Sequence, residues 1–233
     1  MADFPAPRAP HGPITEVFPG VFFVTGGFKF NAALSITRNM TIVRQGTELV
    51  LVNSVRLSPE GEAELDKLGK VTQLVRIGAF HGLDDPYYVD RYAPTTWAPP
   101  GGKVGGKPAT RELTPSASPI AASTVFDFEH GKHREVALVL EQDGGILLTC
   151  DSYQHWTSFA GCSLVAKAML PVMGFGPTVI GGPWTKAMGP EIRKDFDRLR
   201  DVDFRHLVPA HGTVLRDDAK TGLTNAMAKR FAG

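Results

Sequence analysis

The sequence predicts an α+β or α/β sandwich: two sheets face to face with helices outside. Three observations carry this. Apolar runs come mostly in strand-length pieces closed by Gly, Pro or Asp. Hairpin turns recur in both halves, at Gln45-Gly46-Thr47 and Gln142-Asp143-Gly144. Segments of helical spacing stand between and after the strands.

The elements follow in order. Residues 1–13 are Pro-rich and read as an irregular arm, with a single domain over 14–233. Val21–Thr25 reads as a strand ending at Gly26-Gly27. Residues 39–44 and 48–53 read as a hairpin. Ser58-Pro59-Glu60 is a helix start, with a capping hydroxyl, Pro at the first helical position and an acid in the first turn. That helix runs to about Leu68 and stops at Gly69. A strand over 71–77 follows. Residues 99–110, with Gly101-Gly102 and Gly105-Gly106, read as a loop. Its Lys103 and Lys107 are solvated or touch an anionic substrate. Residues 112–113 and 124–128 are weaker strands, and 135–140 and 145–150 stronger ones. Residues 156–186, apolar and rich in Gly and Met, follow no single period. Helices are predicted over 191–200 and 217–231.

Composition narrows the function classes. The chain has 233 residues, 42% apolar and 21% charged, with 25 basic against 24 acidic side chains. No basic stripe suits nucleic acid, and no apolar run reaches the roughly 18 residues that span a bilayer. The N-terminal stretch lacks the basic and apolar regions of a signal peptide, so a cytoplasmic location is expected. Cys150 and Cys162 are too few for a disulfide framework. Cys150, within a strand, reads as a buried thiol.

Three strands end in metal-ligand side chains. The 71–77 run leads to Gly78-Ala79-Phe80-His81-Gly82-Leu83-Asp84-Asp85, the 145–150 run to Asp151, and the 204–210 run to His211-Gly212. Groups this far apart in sequence meet only if their strands lie side by side, as in a site on loops above a sheet.

This layout resembles the metallo-β-lactamase-fold superfamily. Leu148-Thr149-Cys150-Asp151 matches its Asp motif. Val208-Pro209-Ala210-His211-Gly212 matches its last His motif. Asn53 stands where an early structural Asp is common. The main motif, His-x-His-x-Asp-His, is degenerate here. With His81 on its second His, Ala79 falls on the first, Leu83 on the Asp and Asp84 on the final His. The third His of the family falls at Gly131, between His130 and His133.

The resemblance implies an αββα four-layer sandwich of two mixed sheets, in a divergent branch. It implies a metal set of His81, Asp84, Asp151 and His211, with Asp85 as the alternative to Asp84 and one divalent ion at most. Zinc comes first, with iron or manganese open, and no metal at all is the alternative. His130, His133 or Glu135 would complete the set. The implied reaction is hydrolysis of an ester, thioester, lactone or phosphoester of a small molecule, with Asp85 taking the proton. Two other readings stand beside it: a metal-free descendant that binds a small ligand or protein partner, and an iron protein with redox chemistry. His155, Trp156, Tyr87, Tyr88 and Trp97 either line a pocket or pack the core. His11 and His206 are read as incidental. The sequence names neither substrate nor oligomeric state.

Overall fold

The structure is a computed structural model that describes residue 4 and residues 10–232. Most of the expected N-terminal arm lies outside these residues. The first half runs β1 (Thr15–Phe18), β2 (Val21–Lys29), β3 (Ser35–Gln45), β4 (Glu48–Val52), α1 (Pro59–Leu68), β5 (Lys70–Val75), α2 (Asp85–Tyr92), β6 (Thr95–Ala98), β7 (Lys103–Val104), β8 (Lys107–Pro108) and β9 (Arg111–Glu112). The second runs β10 (Ser123–Asp127), β11 (Val136–Leu140), β12 (Ile146–Thr149), β13 (Tyr153–Gln154), α3 (Leu164–Val172), β14 (Val179–Ile180), α4 (Gly182–Met188), α5 (Ile192–Leu199), β15 (His206–Pro209) and α6 (Ala219–Arg230).

Two mixed sheets result. The larger has the order β1-β2-β3-β4-β5-β6-β9, antiparallel as far as β4 and parallel beyond it. The smaller has the order β10-β11-β12-β15, with β15 parallel to β12.

The two-residue period of a strand divides the side chains between layers. In β4, Val50 and Val52 face the core between the sheets, while Leu49 and Leu51 face the layer holding Leu65 of α1 and Tyr88 of α2. In β12, Ile146 and Leu148 face inward, and Leu147 packs with Trp184, Phe196 and Leu223 under α4, α5 and α6. This is the αββα sandwich the sequence predicts.

Several boundaries move, each for a local reason. β2 runs through Gly26, because Val55 lies 2.3 Å from where a Cβ would be; glycine here serves packing, not a strand end. α1 keeps its predicted limits, with Ser58 Oγ accepting from the Gly61 N–H. His11 is structural: its Nε2 accepts from the Ser58 N–H at 2.8 Å. His206 is structural too, accepting the Asp217 N–H at Nδ1 and contacting the Asp143 carbonyl through Nε2. The 99–110 loop contains the short β7/β8 hairpin. Residues 156–186 resolve into α3, β14 and α4, pieces too short to repeat a period. Helix α2 is new: Asp85-Pro86 opens a helix, as Pro in a first turn can.

Candidate metal centre

The register of the smaller sheet builds half of the site. β12 and β15 run parallel with Thr149 opposite Pro209, so both strands release their next residues at one edge. Asp151 and His211 leave side by side. Asn39 of β3 fixes this edge, its side-chain amide donating to the Pro209 and Gly212 carbonyls at 3.0 Å each. Gly212 has φ +88°, and a Cβ there would lie 2.0 Å from the His155 carbonyl oxygen. The glycine after the histidine is therefore a steric requirement.

The loop leaving β5 supplies the other half. The Ile77 carbonyl accepts from the Val136 N–H at 2.8 Å, which joins the two sheets. Asn53 at the end of β4 accepts from the Ile77 N–H. Arg76 then holds the loop from within, donating to the carbonyls of Gly78, Ala79 and Lys103 at 3.1, 2.5 and 3.0 Å. His81 is carried to Asp151 and His211.

His81, Asp151 and His211 form one group. The two Nε2 atoms are 3.0 Å apart. Asp151 Oδ2 is 3.6 Å from His81 Nε2, and Oδ1 is 3.2 Å from His211 Nε2. Ligand atoms about 2.0–2.2 Å from a zinc ion, at tetrahedral angles, stand roughly 3.3–3.6 Å from each other. The two imidazole nitrogens are slightly closer than that, and each faces a different oxygen of Asp151; one ligand atom from each of the three residues lies within 4.8 Å of the others, so the group can take one cation with a small parting of the two rings. His211 Nδ1 lies 2.8 Å from the Thr37 carbonyl. That contact requires the proton on Nδ1 and leaves the Nε2 lone pair facing the group. Trp156 stacks on the same ring. Burial lowers the pKa of His81, with Asp151 opposing. Burial alone would raise the Asp151 carboxyl, but His81 and His211 outweigh it and hold the group below its usual value.

Asp84, expected as a ligand, is placed elsewhere. Its carboxylate takes the Arg38 guanidinium and the Arg56 N–H, the latter at 2.6 Å, and it stands outside the group. Asp85, expected to move the proton, is fully buried. Its Oδ1 accepts from Ser54 Oγ at 2.6 Å, and Oδ2 has no partner among the described residues. Burial raises its pKa. It lines neither cavity beside the group.

Of the residues expected to complete the set, His130 is turned away onto buried Asp195, at 2.8 Å. His133 stands edge-on to Phe80. Glu135 is close behind Asp151 and with Cys150 makes a second group whose donor atoms lie within 4.8 Å of one another. Its carboxylate already accepts from the Ser152 N–H and the Trp184 indole, at 3.0 and 2.7 Å. Burial, then the charge of Asp151, push its pKa up to about 8. Burial likewise raises the Cys150 thiol.

Two cavities meet at the group. One, of about 230 Å³, is walled by Phe28, Phe30, Arg38 and Leu83 beside the three donors. The other, of about 250 Å³, reaches under α3 between Trp156, Met169, Leu170, Met173 and Phe175, and opens on Asp151 and His211. Trp156 thus stands at the site, while His155 accepts from the Thr178 N–H, Tyr88 is buried in the core and Trp97 donates to Gln73. Sequence reasoning passed over Arg38, Asn39, Thr37 and Arg76. Thr37 and Arg38 lie before the 39–44 strand that the apolar pattern predicts, and only the longer observed strand, Ser35–Gln45, includes them.

Solved structures agree with this architecture. The metallo-β-lactamase FIM-1 from Pseudomonas aeruginosa, solved in a mono-zinc form, aligns at TM-score 0.66 and 14% identity, over 94% of this chain and 96% of that one. A metallo-β-lactamase from Hirschia baltica aligns at TM-score 0.64 and 13% identity, over 94% and 98%. The DIM-1 metallo-β-lactamase aligns at 0.65 and 12%, over 95% and 99%. No protein-family model matches the sequence. No curated protein matches it either. The chain has the metallo-β-lactamase fold. At this level of identity the likeness extends to the fold and stops short of the activity. Among the described residues, no helix is long and apolar enough to cross a membrane.

Proposed function

We propose a metal-dependent hydrolase-like protein with a mononuclear site on His81, Asp151 and His211. It acts on an ester, thioester, lactone or phosphoester of a small molecule. The convergence of three donor atoms from three distant segments, with the His211 tautomer fixed by Thr37, supports this reading. Two imidazole nitrogens and one carboxylate oxygen suit zinc first, and also iron or manganese. A divalent ion held there supplies a water of lowered pKa and polarises a carbonyl or phosphoryl oxygen.

The chain's own groups do the rest. Thr37 orients His211, and Arg76 positions the loop bearing His81. Asp151, held below its usual value by His81 and His211, would bring a negative charge to the ion. Trp156 and Leu170 give the cavity beside the group an apolar wall. Asp85, under the same loop, supports it through Ser54 in place of the proton transfer expected of it. With Ala79 and Leu83 at ligand positions of the family motif, and Asp84 engaged by Arg38, no second set of imidazoles assembles among the described residues.

A second reading has its own observation. The His81 and His211 nitrogens are within hydrogen-bond distance, so the trio can close on itself without a cation, in a protein that only binds a ligand. Elemental analysis after exhaustive dialysis separates the two. The hydrolase reading expects close to one ion per chain, lost in His211→Ala and Asp151→Asn variants. A dialysed wild type at background metal content, stable in chelator, would falsify it.

A further inference from the structure

Arg38 has no part in holding a metal, yet it shares a cavity wall with all three donors. It is 6% exposed. Its Nη2 is tied to Asp84, at the position the family motif gives to a metal-binding histidine. The guanidinium stands over the Phe28 ring, 5.6 Å from its centroid. Nε is buried and has no partner among the described residues. A guanidinium keeps its charge at any ordinary pH and presents five donors. Burial of such a group is costly unless those donors are used. Asp84 holds only Nη2, and the charged side chain itself lines the cavity that the three donors share.

The second cavity has the opposite character. Its walls under α3 are apolar, and its volume of about 250 Å³ exceeds the roughly 150 Å³ that accommodates benzene. Phe30, Ile36, Asp151 and His211 belong to both cavities. A molecule occupying both would place its middle against the three donors, with one end beside a fixed cation and the other in an apolar lobe.

We propose that Arg38, locked by Asp84, is the anion-recognition residue of this site, and that the ligand is an amphiphilic oxyanion. Its carboxylate or phosphate group meets Arg38 and its apolar chain or ring lies under α3. As a statement of substrate class this rests on the hydrolase reading; as a statement about binding it does not.

Titration calorimetry tests it with octanoate, octyl phosphate and neutral 1-octanol as probes. The proteins are wild type, Arg38→Gln, and Arg38→Gln/Asp84→Asn, which removes both charges so that no buried carboxylate is stranded. Wild type is expected to bind at least one of the anions ten-fold or more tighter than octanol, and the preferred anion identifies the headgroup. Both variants are expected to bind that anion no better than octanol, and the single variant gives the reading if the double variant does not fold. Octanol binding as tight as the anions in wild type, or an anion preference that survives in the folded variants, overturns the proposal. Repetition in chelator separates it from the metal reading. An Arg38-dependent preference in protein without metal leaves this proposal standing when the hydrolase reading has failed. A preference that chelation abolishes in wild type places the oxyanion on the ion and sinks it.

Discussion

The two halves of the candidate centre reach the same point by different means. Asp151 and His211 leave adjacent parallel strands, each two residues beyond paired Thr149 and Pro209, so sheet register sets their separation. His81 sits six residues beyond the end of β5, on a loop held by the Arg76 side chain and by Asn53. The strand ends keep the family pattern, and the loop has lost it. A ligand on a strand end is fixed by pairing that the fold needs anyway. A loop ligand depends on side chains, and once those change the loop takes up another arrangement. Here Asp84 holds Arg38.

Changing Gly212 to alanine attacks the rigid half and should have the largest effect. The new methyl would meet the His155 carbonyl at 2.0 Å, in backbone already at φ +88°. A loss above about 3 kcal/mol is expected from clash and strain together, read by urea denaturation. Gly46→Ala, in an open turn at φ +63° with nothing within 4 Å, should cost only about 1 kcal/mol. Equal losses would mean that the strand ends are not the rigid half.

The next effect lies behind Asp151, in protein stripped of metal. Glu135 has a folded pKa of about 8 against an ordinary value of 4.5. The folded state therefore binds more protons than the unfolded state between those values. Stability should be full below pH 4.5 and fall as pH rises to about 8. The fall is of the order of a few kcal/mol, at about 1.4 kcal/mol per unit. Asp151, lowered, contributes in the opposite sense: its stabilisation is present above its ordinary value and lost as pH falls below it. In Glu135→Gln the slope should vanish, leaving a uniform cost, because one amide oxygen cannot accept from both Ser152 and Trp184. An unchanged slope would point to another group.

Arg76→Gln probes the loop half. Removal of its three carbonyl contacts should lower metal affinity about 10- to 100-fold and stability by about 1–3 kcal/mol, without disturbing Asp151 or His211. A chelator competition titration reads the first number. Affinity equal to wild type would show the loop to be self-supporting. The smallest effect on the centre is expected from His130→Ala. It removes one of three partners of buried Asp195, which keeps the Arg198 guanidinium and the residue-130 N–H, and should cost about 0.5–1.5 kcal/mol, with metal content unchanged. Loss of metal there would bring His130 back into the first coordination shell.

Much of the architecture was legible in the chain. The cap at Ser58, the stop at Gly69, the 39–53 hairpin and the strands bearing Asp151 and His211 are written in local chemistry: a hydroxyl before Pro, a glycine with no side chain, alternating apolar residues. The segment 156–186 was not, because helices of seven to nine residues between short strands never complete a clear period.

The sequence by itself determined the two-sheet sandwich and marked His81, Asp151 and His211, with Asp84 beside them, as ligand residues at strand ends. Strand periodicity and the residues that close each strand are local properties that can be read in order. Only the tertiary structure decided that Asp84 faces an arginine from β3, that Asp85 is buried under its loop, and that Glu135 waits behind Asp151. Whether a carboxylate meets a cation, a hydroxyl or another carboxylate depends on which strand lies across from it. That neighbour is set by sheet pairing between residues dozens of positions apart.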